Sequence, residues 1–170
     1  MKAISLWQPY ATLLAGGAKS VETRGWHMSH RGPLLVHAAK KWDGRLADLC
    51  RGEPFRSALE RCGCSSATAL PFGAIVGVVE VVDCVPVERV EVDCTGLVNG
   101  FLHEETDGTK WLTIDATERA FGDYTARRYA ILCRNERAFR EPVPYRGQQM
   151  VFDVDPALVA AQMAGPEAVR

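Results

Sequence analysis

The sequence predicts an α+β domain whose strands form a small mixed β-barrel with helices flanking it. Three observations lead there. Strand-like and helical segments follow one another without regular alternation. The densest β signal, GAIVGVVEVVDC over residues 73–84, is mostly apolar on both alternating faces, as a central strand requires. The glycine patterns of other α/β sheets are missing: there is no GxGxxG and no GxSxG, and Gly17-Ala18-Lys19-Ser20 resembles a phosphate loop only superficially, with Leu13 and Ala18 where that loop needs glycine.

Taken in order, residues 3–7 (AISLW) alternate weakly and begin the sheet. Pro9 suits a first helical turn, where no amide donor is needed, and Gly16-Gly17 ends a short helix that delivers Lys19 at its exit. Residues 20–26 extend as a strand, and Arg31-Gly32-Pro33 turns the chain into an apolar strand over residues 34–38, giving a hairpin-like unit. Asp43 caps a helical stretch reaching about Cys62, which Gly52 and Pro54 divide into two shorter helices. After the central strand, residues 86–114 mix acidic residues, glycines and short apolar pieces, with residues 110–114 the best strand candidate. Asp115 or Thr117 starts a brief helix ending near Phe121-Gly122. Residues 128–133 read as a strand whose hairpin continues at Phe139, residues 148–154 as the last strand, and residues 156–163 as a terminal helix that Gly165-Pro166 stops.

A chain of 170 residues with 47% hydrophobic content can bury one sizeable core but is short for two. One domain is therefore expected over residues 1–155, with a C-terminal helix and tail over residues 156–170. No apolar run approaches the ~20 residues that cross a bilayer, so a soluble, cytoplasmic protein with no membrane partner is expected. Its six cysteines are expected as thiols, and neither the Cys62/Cys64 pair nor the His27/His30 pair has the spacing of a structural zinc site, so no metal or cofactor is expected. With 20 basic against 21 acidic residues and a net charge of −1, an extended duplex-DNA surface is not expected. The positive charge is nonetheless concentrated early, at Lys19, Arg24, His27, His30, Arg31, Lys40, Lys41 and Arg45, which fits a solvated basic face or a local pocket.

Within that stretch, Lys19, Glu22 and Arg24 form GxKxxExR from Gly17, two cations and a carboxylate at a helix-to-strand transition. Spacing alone leaves two readings open. One is an exposed ion-pair cluster that contributes little. The other is a partly desolvated pocket in which Glu22 holds the cations in place and Lys19 serves as a base.

SLWQPYATLLAGGAKSVETRGW, followed by RGPLLVHAAKKW and GAIVGVVEVVDC, resembles the ASCH domain, whose signature is this GxKxxExR pattern. The likeness continues through FGDY, RRYAILCRN and PYRGQQMVFDV, and so covers most of residues 3–154. The resemblance implies a PUA-like β-barrel with flanking helices and a cleft for RNA, a nucleotide or a modified nucleoside. It further implies two possible hydrolytic activities, since some small relatives are amidohydrolases that deacylate N4-acetylcytidine and others have been assigned metal-independent ribonuclease activity. Lys19 carries over as the amidohydrolase lysine; those enzymes pair it with a threonine three positions later, where this chain has Glu22. The corresponding mechanism has Lys19 taking a proton from water or a hydroxyl, Glu22 or the distant Glu118 orienting it, and Arg24 stabilising developing negative charge. Thr23 is a substitute hydroxyl, although strand alternation sends it to the face opposite Glu22 and Arg24.

The binding candidates follow. Trp7, Gln8, Pro9 and Tyr10 stand where the first strand enters the first helix; Trp7 or Trp26 would stack on a base, and Gln8 would read its polar edge. His37, in an apolar strand, is either a satisfied structural histidine or a site residue. Lys40 is the phosphate candidate. Arg128 either reaches the pocket or forms a structural salt bridge, and Glu80 lies either on an exposed sheet face or in the cleft.

Overall fold

The computed structural model describes residues 1–87, 90–92, 98–105, 108–112 and 114–164, with the backbone alone described for the strands between 90 and 112. The first strand β1 (Lys2–Leu6) leads into α1 (Tyr10–Ala15), a helix of only six residues. So short a helix is held by packing and not by propensity: Ala11, Leu13, Leu14 and Ala15 are all buried. Gly17 then takes φ +76, and the amides of Ala18 and Lys19 both return to the Leu13 carbonyl, which turns the chain towards β2 (Val21–Arg24).

Strand β3 (Gly32–Ala38) and the helices α2 (Gly44–Arg51) and α3 (Phe55–Arg61) come next, and Asp43 caps α2 by accepting from the Leu46 amide at 3.1 Å. The valine-rich segment is β4 (Ala74–Val87). It is followed by β5 (Val90–Val92), β6 (Val98–Glu105), β7 (Gly108–Leu112), α4 (Ala116–Ala120) with Asp115 as its cap, and β8 (Arg128–Pro144). The described chain closes with β9 (Val151–Asp153), a 3-10 turn at Pro156–Val159 and α5 (Ala160–Met163).

Six strands form one sheet in the order β2-β8-β4-β3-β1-β9, with β1 and β3 parallel and the other pairs antiparallel, while β5, β6 and β7 form a separate antiparallel meander. Strand alternation divides β1 and β3 between two cores. Ile4, Leu6, Leu34 and Val36 pack with Leu14 and Ala15 of α1, whereas Ala3 and Leu35 pack on the other face with Phe139, Phe152 and Val159.

The expected α+β class holds, and among the described residues the six-stranded sheet is not closed into a barrel. Its edge strands, β2 with four residues and β9 with three, pair only inward, to β8 and β1. The sheet curls nevertheless: β8, β4 and β3 separate β2 from β1, yet Arg24 Nη2 donates to the Ser5 carbonyl at 2.8 Å. Side chains bridge the gap where a barrel would have a backbone ladder.

Other expectations change too. Residues 20–38 do not make a hairpin, because the connection after β2 is pinned to β4: Met28 is buried, its amide donates to Cys84 Sγ at 3.2 Å, and Arg31 pairs with Asp83 at 2.8 Å. Phe139 belongs to the same long strand as Arg128 and not to a second hairpin arm, with a local kink at Asn135, φ +52. In the segment 86–114, where residues 110–114 were the best strand candidate and the rest was left open, β5, β6 and β7 form, and Ile114 is buried just after β7. The predicted stop at Gly165-Pro166 lies outside the described residues.

Candidate functional site

Alternation along β2 sends Val21 and Thr23 inward and leaves Glu22 and Arg24 on the half-buried side. Lys19, one residue before the strand, is fully buried. Its Nζ donates to the carbonyls of Val21 and Phe121, the latter at 2.7 Å, and stands 3.6 Å from Glu22 Oε2 and 3.9 Å from Glu118 Oε1. Glu118 on α4 is fixed in turn by the Ser20 amide at 2.8 Å, the Ser20 hydroxyl at 3.0 Å and the Val21 amide at 3.1 Å.

On the other side, Glu22 Oε1 lies 2.9 Å from Arg24 Nε, an ion pair in which the N–H does not point along a hydrogen-bond direction. A chain of charge thus runs Glu118–Lys19–Glu22–Arg24 and ends on Ser5. The groups around it respond. Burial, and then Glu22, raise the Tyr10 phenol above its ordinary range, and burial followed by Glu118 and Glu22 does the same for Tyr124. Burial and then Glu22 push the Cys133 thiol up to about 12, so this thiol is inert as a nucleophile.

Beside this chain, between the ends of β1, β2 and β3, opens a cleft of about 940 Å³. Ser5 and Trp7 come from β1 and its exit, Arg24 and Trp26 from β2 and its exit, and His37 and Lys40 from β3 and its exit. Pro144 at the end of β8 and residues 145–150 between β8 and β9 complete the wall. Trp7 is 47% exposed, with Lys41 Nζ 3.8 Å from its ring centre.

His37 is 2% exposed; its Nε2 lies 3.1 Å from the Tyr145 carbonyl and its Nδ1 3.1 Å from Ser5 Oγ. Burial lowers its pKa, opposed in part by the bond to Tyr145. Gly147 lies against this pair: a Cβ there would fall 2.4 Å from His37 Cε1 and 2.7 Å from Ser5 Oγ. Met150, on the same wall, is 54% exposed and has φ +59.

A second cleft of about 460 Å³ shares Ser5, Trp7 and Arg24 with the first and adds Tyr10, Glu22, Asp123 and Arg128. Arg128 Nη1 stands 3.3 Å from Asp123 Oδ2, and Nη2 donates to the Thr23 carbonyl at 3.2 Å.

The predicted residues therefore separate. Trp7, Arg24, Trp26, His37 and Lys40 line the larger cleft, and Glu22 and Arg128 the smaller. Lys19, Glu118, Gln8 and Pro9 line neither. The Gln8 amide is engaged internally, its Nε2 donating to Thr12 Oγ1 and the Pro71 carbonyl, both at 2.8 Å, and its Oε1 accepting from the Thr12 amide at 3.1 Å. Pro9 is buried at the start of α1. Glu80 faces outward, bonded to Asn135 and 3.6 Å from Arg134. Among the described residues no three His, Cys, Asp or Glu side chains gather to hold a metal ion, and no helix is long and apolar enough to cross a membrane.

Sequence reasoning missed Ser5 and the wall of Tyr145, Arg146, Gly147 and Gln148. Gln148 was expected inside the last strand, and Tyr145, Arg146 and Gly147 entered only through the PYRGQQMVFDV stretch of the resemblance.

The profile of the ASCH domain matches residues 4–136. The chain belongs to the ASCH domain family. Mouse (Mus musculus) activating signal cointegrator 1 is 30% identical to this ASCH chain over 152 residues, which cover 89% of the chain and 22% of the mouse protein. Among solved structures, the ASCH protein of Zymomonas mobilis is 14% identical, with 96% of this chain and 94% of that one covered at a TM-score of 0.48. A single-residue variant of the same protein, also 14% identical, covers 96% of both chains at a TM-score of 0.49.

Proposed function

We propose that this ASCH domain binds single-stranded RNA or a modified nucleoside in the larger cleft. The observation that carries the reading is the convergence of Trp7, Trp26, buried His37 and the cations Arg24, Lys40 and Arg146 on one concavity. Tryptophan faces supply base stacking, about 1–3 kcal/mol per base. Lys40 and Arg146, both exposed, supply phosphate contacts at the rim. The family's association with RNA binding supports the same reading.

Lys19 serves as the organiser of this site. The hydrolytic alternatives place its Nζ at the reacting atoms, whereas here the ammonium is taken up by two carbonyls and flanked by two carboxylates inside the domain. Holding Glu22, and through it Arg24, is a role that uses every one of those contacts. This arrangement supports retention of ligand without turnover.

The test is anisotropy of a labelled single-stranded RNA titrated at several salt concentrations, alongside incubation of the protein with N4-acetylcytidine. Saturable binding that weakens with salt, with the RNA intact and no acetate released, is the expected result. A slope of about −0.7 per phosphate contact is expected for a single strand. Release of acetate or cleavage of the RNA would replace the binding reading with an enzymatic one.

A further inference from the structure

We propose that Ser5 reads the base in the larger cleft as a hydrogen-bond acceptor whose direction His37 sets, so that the cleft selects nucleobases presenting an amine beside a ring acceptor. This rests on the reading that the cleft holds a nucleobase.

The argument is one of hydrogen positions. Ser5 and His37 are register partners on the parallel strands β1 and β3, which puts their side chains next to each other. The Tyr145 carbonyl can only accept, so the hydrogen between it and His37, 3.1 Å away, sits on Nε2. The ring is buried and neutral, and its Nδ1 is then a bare acceptor. At 3.1 Å from Nδ1, Ser5 Oγ must donate its single hydrogen inward.

What Ser5 has left for the cleft it lines is therefore lone pairs. Beside it stands a donor: Arg24 Nη2 is fixed on the Ser5 carbonyl at 2.8 Å, and Arg24 Nη1 has no partner among the described residues. An acceptor next to a donor matches the amine and ring nitrogen of cytosine or adenine. Held in that same pose by stacking, uracil or hypoxanthine would set a carbonyl against the Ser5 lone pairs and a ring N–H against the guanidinium. Gly147 keeps this floor intact, since a side chain there would displace both members of the pair.

Protonating His37 would reverse the relay. With hydrogens on both ring nitrogens, Nδ1 donates to Ser5 and frees the hydroxyl to donate into the cleft. The groups packed on the ring are Ser5 of β1, Tyr145 and Gly147 of the wall, and Phe152 of β9, edge-on at 6.2 Å. The charged groups of the cleft, Arg24, Lys40 and Arg146, are all cations and oppose that protonation.

Calorimetric titration with the 5′-monophosphates of cytidine and uridine, and of adenosine and inosine, tests the proposal, because each pair differs only by the reversed edge. At about pH 8 the amine-bearing member should bind at least about fivefold more tightly. Ser5→Ala should bring both ratios to about one while binding itself persists, and Ser5→Thr, which keeps the hydroxyl, should retain them. Lowering the pH to about 5 should narrow the ratios in the wild type and leave those of Ser5→Ala unmoved. Equal affinities within each pair, or unchanged ratios in Ser5→Ala, would overturn the assignment with binding intact. Failure of all four nucleotides and of single-stranded RNA to bind would remove the cleft reading and this inference with it.

Discussion

Lys19 and Lys40 belong to the same basic stretch of sequence and end in opposite surroundings. Lys19 is fully buried, its ammonium surrounded by the Val21 and Phe121 carbonyls, Glu22 and Glu118. Lys40 is exposed on the rim of the larger cleft. The residue that marks the family motif thus holds the structure from inside, while a less distinctive lysine faces the space a ligand would occupy. Charge in a sequence says nothing about where the neutralising partner sits; here two carboxylates, one of them from α4, reach the first lysine.

Substitutions can break this contrast. The largest effect is expected at Lys19→Ala, which leaves two carboxylates and two buried carbonyls without their cation. The loss should be about 3–5 kcal/mol of unfolding free energy, read by denaturant titration. Lys40→Ala should stay within about 0.5 kcal/mol of wild type in the same experiment and instead weaken RNA binding, reducing the salt slope by about one unit. A Lys19→Ala protein as stable as wild type would mean that the cluster is not an organiser.

Next in size, Trp26→Ala should cost about 1–3 kcal/mol of RNA affinity, measured by anisotropy, if the ring stacks on a base. Gly147→Ala should cost about 1–3 kcal/mol of stability through overpacking against His37 and Ser5, together with loss of ligand affinity.

The smallest effect concerns pH. Burial holds His37 below its unfolded pKa of 6.5, so the unfolded chain takes up its proton first as pH falls. The stability contributed by the neutral ring is complete above that value. It declines as pH drops below it and levels off beneath the folded pKa. Thermal melts of the wild type should show this decline, and His37→Phe should lose that component.

Much of the frame was legible because local signals and tertiary packing agree. The run of valines made β4 central, Asp43 and Asp115 capped their helices, and Pro9 with Gly16-Gly17 bounded α1. Non-local pairing was not legible. Nothing in residues 20–38 says that Met28 and Arg31 fasten to β4, which is what prevents the hairpin. Whether the sheet closes was not legible for a similar reason, since the very short edge strands β2 and β9 do not announce where they pair.

The site divides along the same line. Spacing brought Lys19, Glu22 and Arg24 together correctly but could not tell inward from outward. Gln8 read as a free amide because its partners Thr12 and the Pro71 carbonyl meet it only in the fold. Ser5 and residues 144–150 were not read as site residues, since only the fold sets them beside His37 and along the cleft.

Tryptophan side-chain N–H signals, followed by NMR while single-stranded RNA is added, test most directly which region receives the ligand. Trp7 and Trp26 line the larger cleft, while Trp42 packs edge-on against Phe72 at 5.2 Å and lines neither cleft. The predicted result is a saturable shift of Trp7 and Trp26 with Trp42 unmoved. Shifts at Trp42 with Trp7 and Trp26 unchanged, or RNA binding that moves none of the three, would contradict the account.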